Sequence, residues 1–196
     1  MNTKKSSYST HMKNILLITL IAVLTSCHAI KHGQSSTSVN EDKILFHSKF
    51  LFTDSSKIAH FECEGFVTDA LNKYTIAAIN KEFLSFLTCS KKSVTNKYNS
   101  SVIDTIYTFS NPGNKILIYR AKQNDFIFIF DVTDPKLKLA GDIKPGMNKD
   151  IFARKFNITE KINNKVQIVN SEGTIRFMFY FENNMLKQIN SFLYLD

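Results

Sequence analysis

The sequence predicts an α+β fold: tandem α-β-β-β repeats, an antiparallel sheet with helices packed on one face, and extra N-terminal strands. Two observations carry this prediction. An isoleucine followed by an apolar-Asn-Lys-acid-apolar-apolar segment occurs twice, in residues 75–84 and 142–152. Strand-like segments separated by turn signals follow each copy. We place the two repeat-like halves at about 72–140 and 141–196.

Each copy of the repeated segment is predicted to begin a helix. Asn80 and Asn148 are suited to the N-cap position, because an Asn side chain can accept from exposed N–H groups of the first turn. Glu82 and Asp150 would place negative charge at the positive end of the helix dipole. The flanking apolar pairs have the spacing of a hydrophobic staple: Ile79 with Leu84, and Met147 with Phe152.

Six strands are predicted after these helices. Turn signals at Asn111–Asn114, Glu172–Gly173 and Asn183–Asn184 separate several of them. Residues 126–130 are apolar on both parities, which predicts a central strand that is covered on both sides or has one face under helices. The six segments are 104–109, 115–120, 125–132, 166–169, 174–181 and 186–195.

Two more strands are predicted before the first half, in residues 44–52 and 58–67. In the second, His60, Glu62 and Glu64 share one parity, opposite Phe61 and Cys63. One histidine and two carboxylates on one strand face could hold zinc, and an ordinary solvated face is the alternative. We predict neither a metal site nor a cofactor.

The N-terminus has the pattern of an exported protein. Lysines precede an apolar run at 15–24, which is too short to span a bilayer because spanning needs about 20 residues. The segment Leu24-Thr25-Ser26-Cys27 resembles the lipobox of bacterial lipoproteins. This resemblance implies a signal peptide over 1–26 and a lipid on Cys27 that attaches the chain to a membrane. An uncleaved anchor helix and an ordinary secretory signal are the alternatives.

A polar segment separates the lipid site from the globular part. Residues 27–42 lack periodicity and predict a flexible tether, followed by a single α+β domain over 43–196. Lipoproteins resembling this one are sorted partly by acidic residues just after the cysteine. Residues 28–31 contain none, which favours the periplasmic face of the outer membrane.

The composition limits the classes of partner. The formal charge of +8 falls to +5 without residues 1–26, and no run of four Lys or Arg occurs. We expect no nucleic acid partner for an exported chain of this kind. The 17 Phe and 7 Tyr residues, with no Trp, predict a core built from Phe, and an aromatic ligand groove is the alternative.

The second repeated segment resembles two related families. Residues 141–151 (GDIKPGMNKDI) are similar to the Ile-x-x-Gly-Met-(Ser/Thr/Asn) opening of the SmpA/OmlA (BamE) outer-membrane assembly lipoproteins and of domains of the β-lactamase-inhibitor-protein type. Residues 174–189 resemble the strands that end those domains. The first copy departs from the pattern, because Ala78 stands where the glycine would be. The resemblance implies a binding or assembly module that is not an enzyme.

No catalytic residue is predicted. The chain has six glycines and no Gly-rich phosphate loop, and it lacks a Gly-x-Ser-x-Gly elbow. Cys63 and Cys89 could close a disulfide in an oxidising compartment, or they could be buried free thiols. A thiol site that pairs either cysteine with His47 or His60 is a weaker alternative.

Four residues on the predicted strands are candidates for a protein interface. Tyr119, Arg120, Arg176 and Tyr180 would lie on an exposed sheet face, and Tyr and Arg are enriched at binding hot spots. The wet side of an antiparallel sheet is the alternative. The main hypothesis is an envelope lipoprotein that binds an envelope protein as a scaffold or assembly factor. The alternatives are an exported enzyme or metal-binding protein using the His60/Glu62/Glu64 cluster, and an inhibitor of an exported enzyme.

Overall fold

The computed structural model describes residues 43–193, so the predicted signal peptide, lipid site and tether lie outside the described residues. The described residues form three α-helices and nine strands. A short 3₁₀ turn spans Ala140–Asp142. The elements are β1 (Lys49–Thr53), β2 (Ile58–Glu62), α1 (Glu64–Lys73), α2 (Ile76–Glu82), β3 (Thr88–Thr95), β4 (Ile103–Asn111), β5 (Asn114–Ala121), β6 (Asn124–Val132), α3 (Lys149–Lys155), β7 (Lys165–Val169), β8 (Ile175–Glu182) and β9 (Met185–Leu193).

All nine strands belong to one sheet in the order β1-β2-β7-β8-β9-β6-β5-β4-β3. Seven neighbouring pairs are antiparallel, whereas β2 and β7 run parallel with Ile58 opposite Lys165. The α+β class is therefore confirmed. The prediction of a purely antiparallel sheet is wrong, because the N-terminal hairpin joins the sheet through this parallel pair.

The helices pack against one side of the sheet, which we call the covered face. Inward-pointing strand residues such as Phe177 and Phe179 lie in the same buried cluster as helix residues Phe66 and Phe152. The ring centroids of Phe66 and Phe177 are 5.3 Å apart, and those of Phe152 and Phe179 are 4.8 Å apart. Aromatic pairs at these distances add to the free energy gained by burying their area. The predicted Phe-rich core is confirmed on this face.

Helix α1 occupies part of a segment that the sequence predicted as a strand. The strand prediction for 58–67 is correct only to Glu62, and the helix begins at Glu64. The buried residues of α1 are Phe66, Val67 and Ala70, a spacing that places them on one helical face. Strand β1 likewise begins at Lys49 rather than at residue 44.

The two predicted helix starts have different outcomes. Asn148 caps α3 as predicted, because its side chain accepts a hydrogen bond from the backbone N–H of Asp150 at 2.8 Å. Asn80 is wrong as a cap, since it lies inside α2, where Thr75 is the N-cap. Leu84 is half exposed and therefore does not provide the buried end of a staple.

The two halves of the chain are unequal, so the tandem α-β-β-β repeat is not confirmed. All six predicted strands are present, and strand β3 is an additional one. The first half thus has four strands after α2, whereas three strands follow α3. Strand β6 has exposed Phe126 and half-buried Ile129 on one side, so it is not covered on both sides. None of the helices within residues 43–193 is long and apolar enough to cross a membrane.

Candidate functional site

The side of the sheet opposite the helices forms a broad surface, which we call the open face. Strand side chains alternate between the two faces, and the register aligns those of the open face into rows. One row runs Arg176, Phe192, Ile129 and Leu117 across β8, β9, β6 and β5. All four side chains are half-buried or exposed. The open face therefore presents an apolar row with a cation at one end.

A cavity of about 350 Å³ lies on the open face next to this row. Its floor includes half-buried Ile129 and Met178, and Phe192 beside them is 58% exposed. A concave surface with apolar and polar groups is typical of a binding site. The residues that line the cavity are Ile129, Asp131, Gln167, Arg176, Met178, Tyr180, Asn190, Ser191 and Phe192.

The polar groups around this cavity leave a positive charge available for binding. Arg176 Nε donates to the carbonyl of Gly173 at 3.2 Å, and no carboxylate within residues 43–193 forms an ion pair with its guanidinium. Asp131 instead accepts from Gln188 Nε2 at 2.8 Å. Since an exposed guanidinium retains donors for a carboxylate, Arg176 can contact an acidic group on another molecule.

Tyr119 lies on the open face but is held by a buried acid. Its hydroxyl donates to Asp104 Oδ2, and Asn96 Nδ2 donates to the same oxygen at 2.6 Å. Asp104 is only 2% exposed. The hydrogen bonds from Tyr119 and Asn96 lower the pKa of Asp104, and the bond to Asp104 raises the pKa of Tyr119. Tyr119 is therefore fixed in place on β5.

Arg120 lies on the other side of the sheet from Tyr119. Its Nε and Nη2 donate to the two carboxylate oxygens of Asp125 at 2.6 and 2.8 Å. Asp125 Oδ2 also accepts from the backbone N–H of Ile76 at 2.9 Å, at the start of α2. Consecutive strand residues point to opposite faces. Arg120 thus supports α2 on the covered face and does not share a surface with the other three candidates.

His60 and Glu64 of the candidate zinc cluster have different partners, and Glu62 is the last residue of β2. His60 Nε2 is 3.1 Å from Asp54 Oδ2, and its ring stacks on Phe52 with centroids 4.4 Å apart. Glu64 is not on the strand, because it begins α1 and accepts from the N–H and hydroxyl of Ser171. These two bonds lower the pKa of Glu64. Within residues 43–193, no group of three or more His, Cys, Asp or Glu side chains could hold a metal.

The two described cysteines are free thiols, which makes the disulfide alternative wrong in this structure. Cys63 follows β2 and is buried, whereas Cys89 is exposed on β3, and six strands lie between β2 and β3. Strands are about 4.8 Å apart, so this arrangement separates the cysteines far beyond the roughly 4.4–6.8 Å Cα distance of a disulfide. Burial raises the pKa of Cys63, which disfavours the thiolate that a nucleophile would need.

Two of the nine residues that line the cavity were predicted as site residues, and the other seven were not. Arg176 and Tyr180 share a parity on β8, which places both of them on the open face. Met178 shares that parity, so the alternation along β8 was sufficient to include it. Asn190 and Phe192 could be found only from the pairing of β8 with β9, which brings them opposite Met178 and Arg176.

No protein-family model, curated protein or solved structure matches this chain.

Proposed function

We propose that this protein is a membrane-tethered envelope lipoprotein whose open face binds another protein, so that it acts as a binding or assembly module and not as an enzyme. The observation that carries the proposal is the cavity on the open face, which places Arg176 and Tyr180 beside Met178 and Phe192. Arg and Tyr next to apolar side chains in a concave surface are typical of protein-binding hot spots. A row of half-buried and exposed apolar side chains on the open face also favours an interaction surface.

The cations on the open face indicate a partner with acidic groups around its contact surface. The exposed cations on the open face include Lys92, Lys115, Lys165 and Arg176, while Asp131 accepts a hydrogen bond from Gln188. A partner that places an apolar patch over Phe192 and carboxylates opposite these cations would be complementary in shape and charge. We therefore expect a folded envelope protein with an acidic rim around its contact patch.

The membrane link and the location rest on the sequence. The lipobox resemblance at Leu24–Cys27 supports a lipid on Cys27, and the absence of acidic residues at 28–31 supports the periplasmic face of the outer membrane. The resemblance of residues 141–151 to assembly lipoproteins agrees with a binding role. Similarity of fold or motif is weak evidence of function, so the proposal rests mainly on the open face.

A duplication of the two halves remains part of this proposal. The last strand of the first half, β6, pairs antiparallel with the last strand of the second half, β9, near the middle of the sheet. Two repeats within one chain that are related by a two-fold axis would pair their last strands antiparallel in this way. The unequal numbers of strands require that one half has gained or lost elements.

The experiment is capture of partners from detergent-solubilised envelope with the tagged full-length chain. In the variant Arg176→Ala/Tyr180→Ala we expect recovery of a stoichiometric partner to fall by about tenfold or more, which corresponds to about 1.4 kcal/mol. The matched control is Lys81→Ala/Leu84→Ala, which removes one cation and one large side chain from exposed positions on and just after α2. We expect the control to retain full recovery.

Two further results would decide the interpretation. Arg176→Glu reverses one exposed charge without changing the core and should cause the same loss, so it tests the proposal if the double variant unfolds. Equal recovery with all variants would exclude the open face as the interface. If the captured partner is an exported enzyme whose activity falls on binding, the inhibitor alternative is favoured over the scaffold.

A further inference from the structure

A second cavity, of about 370 Å³, lies at the end of the sheet where β2 and β7 begin. Three separate segments surround it: the turn before β2, the start of α3, and the loop that leads into β7. Each segment contributes lysine. The polar lining includes Ser56, Lys57, Lys149, Lys161, Asn164 and Lys165.

Within residues 43–193, none of these four lysines forms an ion pair with an acid. The ion pairs within residues 43–193 join His60 to Asp54, Arg120 to Asp125 and Lys138 to Asp142, and none includes a lysine of this cavity. Lys149 Nζ donates only to a neutral group, the Asn164 amide oxygen, at 3.4 Å.

Three acids lie near these lysines in the sequence: Asp54, Asp150 and Glu160. Asp150 and Glu160 are adjacent to Lys149 and Lys161, but neither lines the cavity. Asp54 is engaged by His60 and by the backbone N–H of Ile58. No Asp or Glu among the described residues lines the cavity. Four ammonium groups around one concave surface therefore raise the local potential, and they favour an anion there.

We propose that this cavity, formed by Lys57, Lys149, Lys161 and Lys165, binds a phosphate-bearing anion. Lysine binds phosphate as a point charge, and the hydroxyl of Ser56 and the amides of Asn163 and Asn164 add donors without adding negative charge. The volume is in the range of pockets that hold small molecules. The same chemistry is found in a phospholipid headgroup and in a soluble phosphate ester. Lys165 pairs with Tyr180 across β7 and β8, so this cavity adjoins the proposed protein interface, but the two cavities share no lining residue.

The test is titration of the full-length chain in non-ionic detergent micelles with three probes: inorganic phosphate, dihexanoyl phosphatidic acid and dihexanoyl phosphatidylcholine. We expect phosphatidic acid or inorganic phosphate to bind in calorimetry, and the variant Lys161→Glu/Lys165→Glu to bind about tenfold or more weakly. The matched control Lys81→Glu/Lys97→Glu makes the same change of net charge at exposed positions elsewhere. It should change affinity by less than about twofold.

The probes distinguish the two sources of phosphate. Binding of phosphatidic acid about tenfold tighter than inorganic phosphate supports a lipid headgroup, and equal binding of the two supports a soluble phosphate ester. An equal loss of affinity in both charge-reversal variants would overturn the proposal, because net charge alone would explain the binding. Absence of binding by all probes would overturn it as well.

A second measurement avoids any dependence on variant folding. Reductive ¹³C-methylation of the lysines gives each one an NMR signal in the otherwise unchanged chain. We expect phosphate to shift the signals of Lys57, Lys149, Lys161 and Lys165 together and to leave that of Lys81 in place. Uniform shifts of all lysines would indicate general ion binding and contradict the site.

Discussion

The covered face and the open face are built from the same strands, and β8 shows the difference most clearly. Phe177, Phe179 and Phe181 point towards the helices and are buried, whereas Arg176, Met178 and Tyr180 alternate with them on the open face. One set of side chains supplies packing energy, and the other supplies a surface available to a partner. Substitutions of the open-face residues of β8 should therefore cost little stability, whereas substitutions of its covered-face residues should cost much more.

The largest difference is expected between two adjacent residues of β8. Phe179→Ala should lower the free energy of unfolding by about 3–5 kcal/mol, because it leaves a cavity among Phe66, Phe152 and Phe156. Met178→Ala removes a half-buried side chain next to an existing cavity and should cost about 1 kcal/mol or less. Urea unfolding of the two variants measures both values. Similar losses would mean that something covers the open face.

The cysteines provide a second comparison, between the core and the edge of the sheet. Under native conditions we expect iodoacetamide to label Cys89 on β3 at least about 100-fold faster than Cys63, because Cys63 is buried and burial raises the pKa of its thiol. Mass spectrometry of the labelled peptides gives the two rates, and labelling in urea is the control. If neither residue reacts until a reductant is added, the two cysteines form a disulfide and this arrangement of strands is incorrect.

The smallest expected change in stability concerns the N-cap of helix α3, which packs on the covered face. Asn148→Ala should lower the free energy of unfolding by about 1 kcal/mol, since it removes the hydrogen bond to the Asp150 N–H. Asn80→Ala should change it by less than about 0.5 kcal/mol, because Asn80 is exposed inside α2. Thermal unfolding compares the two. A larger loss at Asn80 would restore the repeated helix start that the sequence suggested.

Much of the sheet could be predicted because its local signals agree with its final structure. The strands β4, β5 and β6 are rich in β-branched and aromatic residues, and the turn between β4 and β5 contains Pro112 and Gly113, the latter with φ +86°. Strand β3 was missed because seven of its eight residues are exposed, so its sequence lacks an apolar parity. This edge strand is defined by pairing with β4 and not by its own pattern.

Other parts of the structure depend on contacts that no local pattern contains. The apparent alternation at Phe61 and Cys63 extended the strand prediction into α1, although Phe66, Val67 and Ala70 already had helical spacing. For the candidate site, the sequence alone could have separated two of the four predicted interface residues. Tyr119 and Arg120 are adjacent on one strand, so they could never share a face. The cavity could not be predicted, because it requires β9 to pair with both β8 and β6.

The parallel pairing of β2 with β7 also has a consequence for how the chain acquires its structure. The N-terminal hairpin reaches the rest of the molecule through contacts of very high sequence separation, such as the hydrogen bond from Ser48 Oγ to the carbonyl of Phe156, 108 positions later. Contacts that close such long loops slow folding. During folding, β1 and β2 would have to wait, without a neighbouring strand on the β7 side, until Lys165–Val169 is in place. The order of events is thus imposed by topology: the meander β3–β6 can form early, and the hairpin that comes first in the sequence is among the last elements to join the sheet.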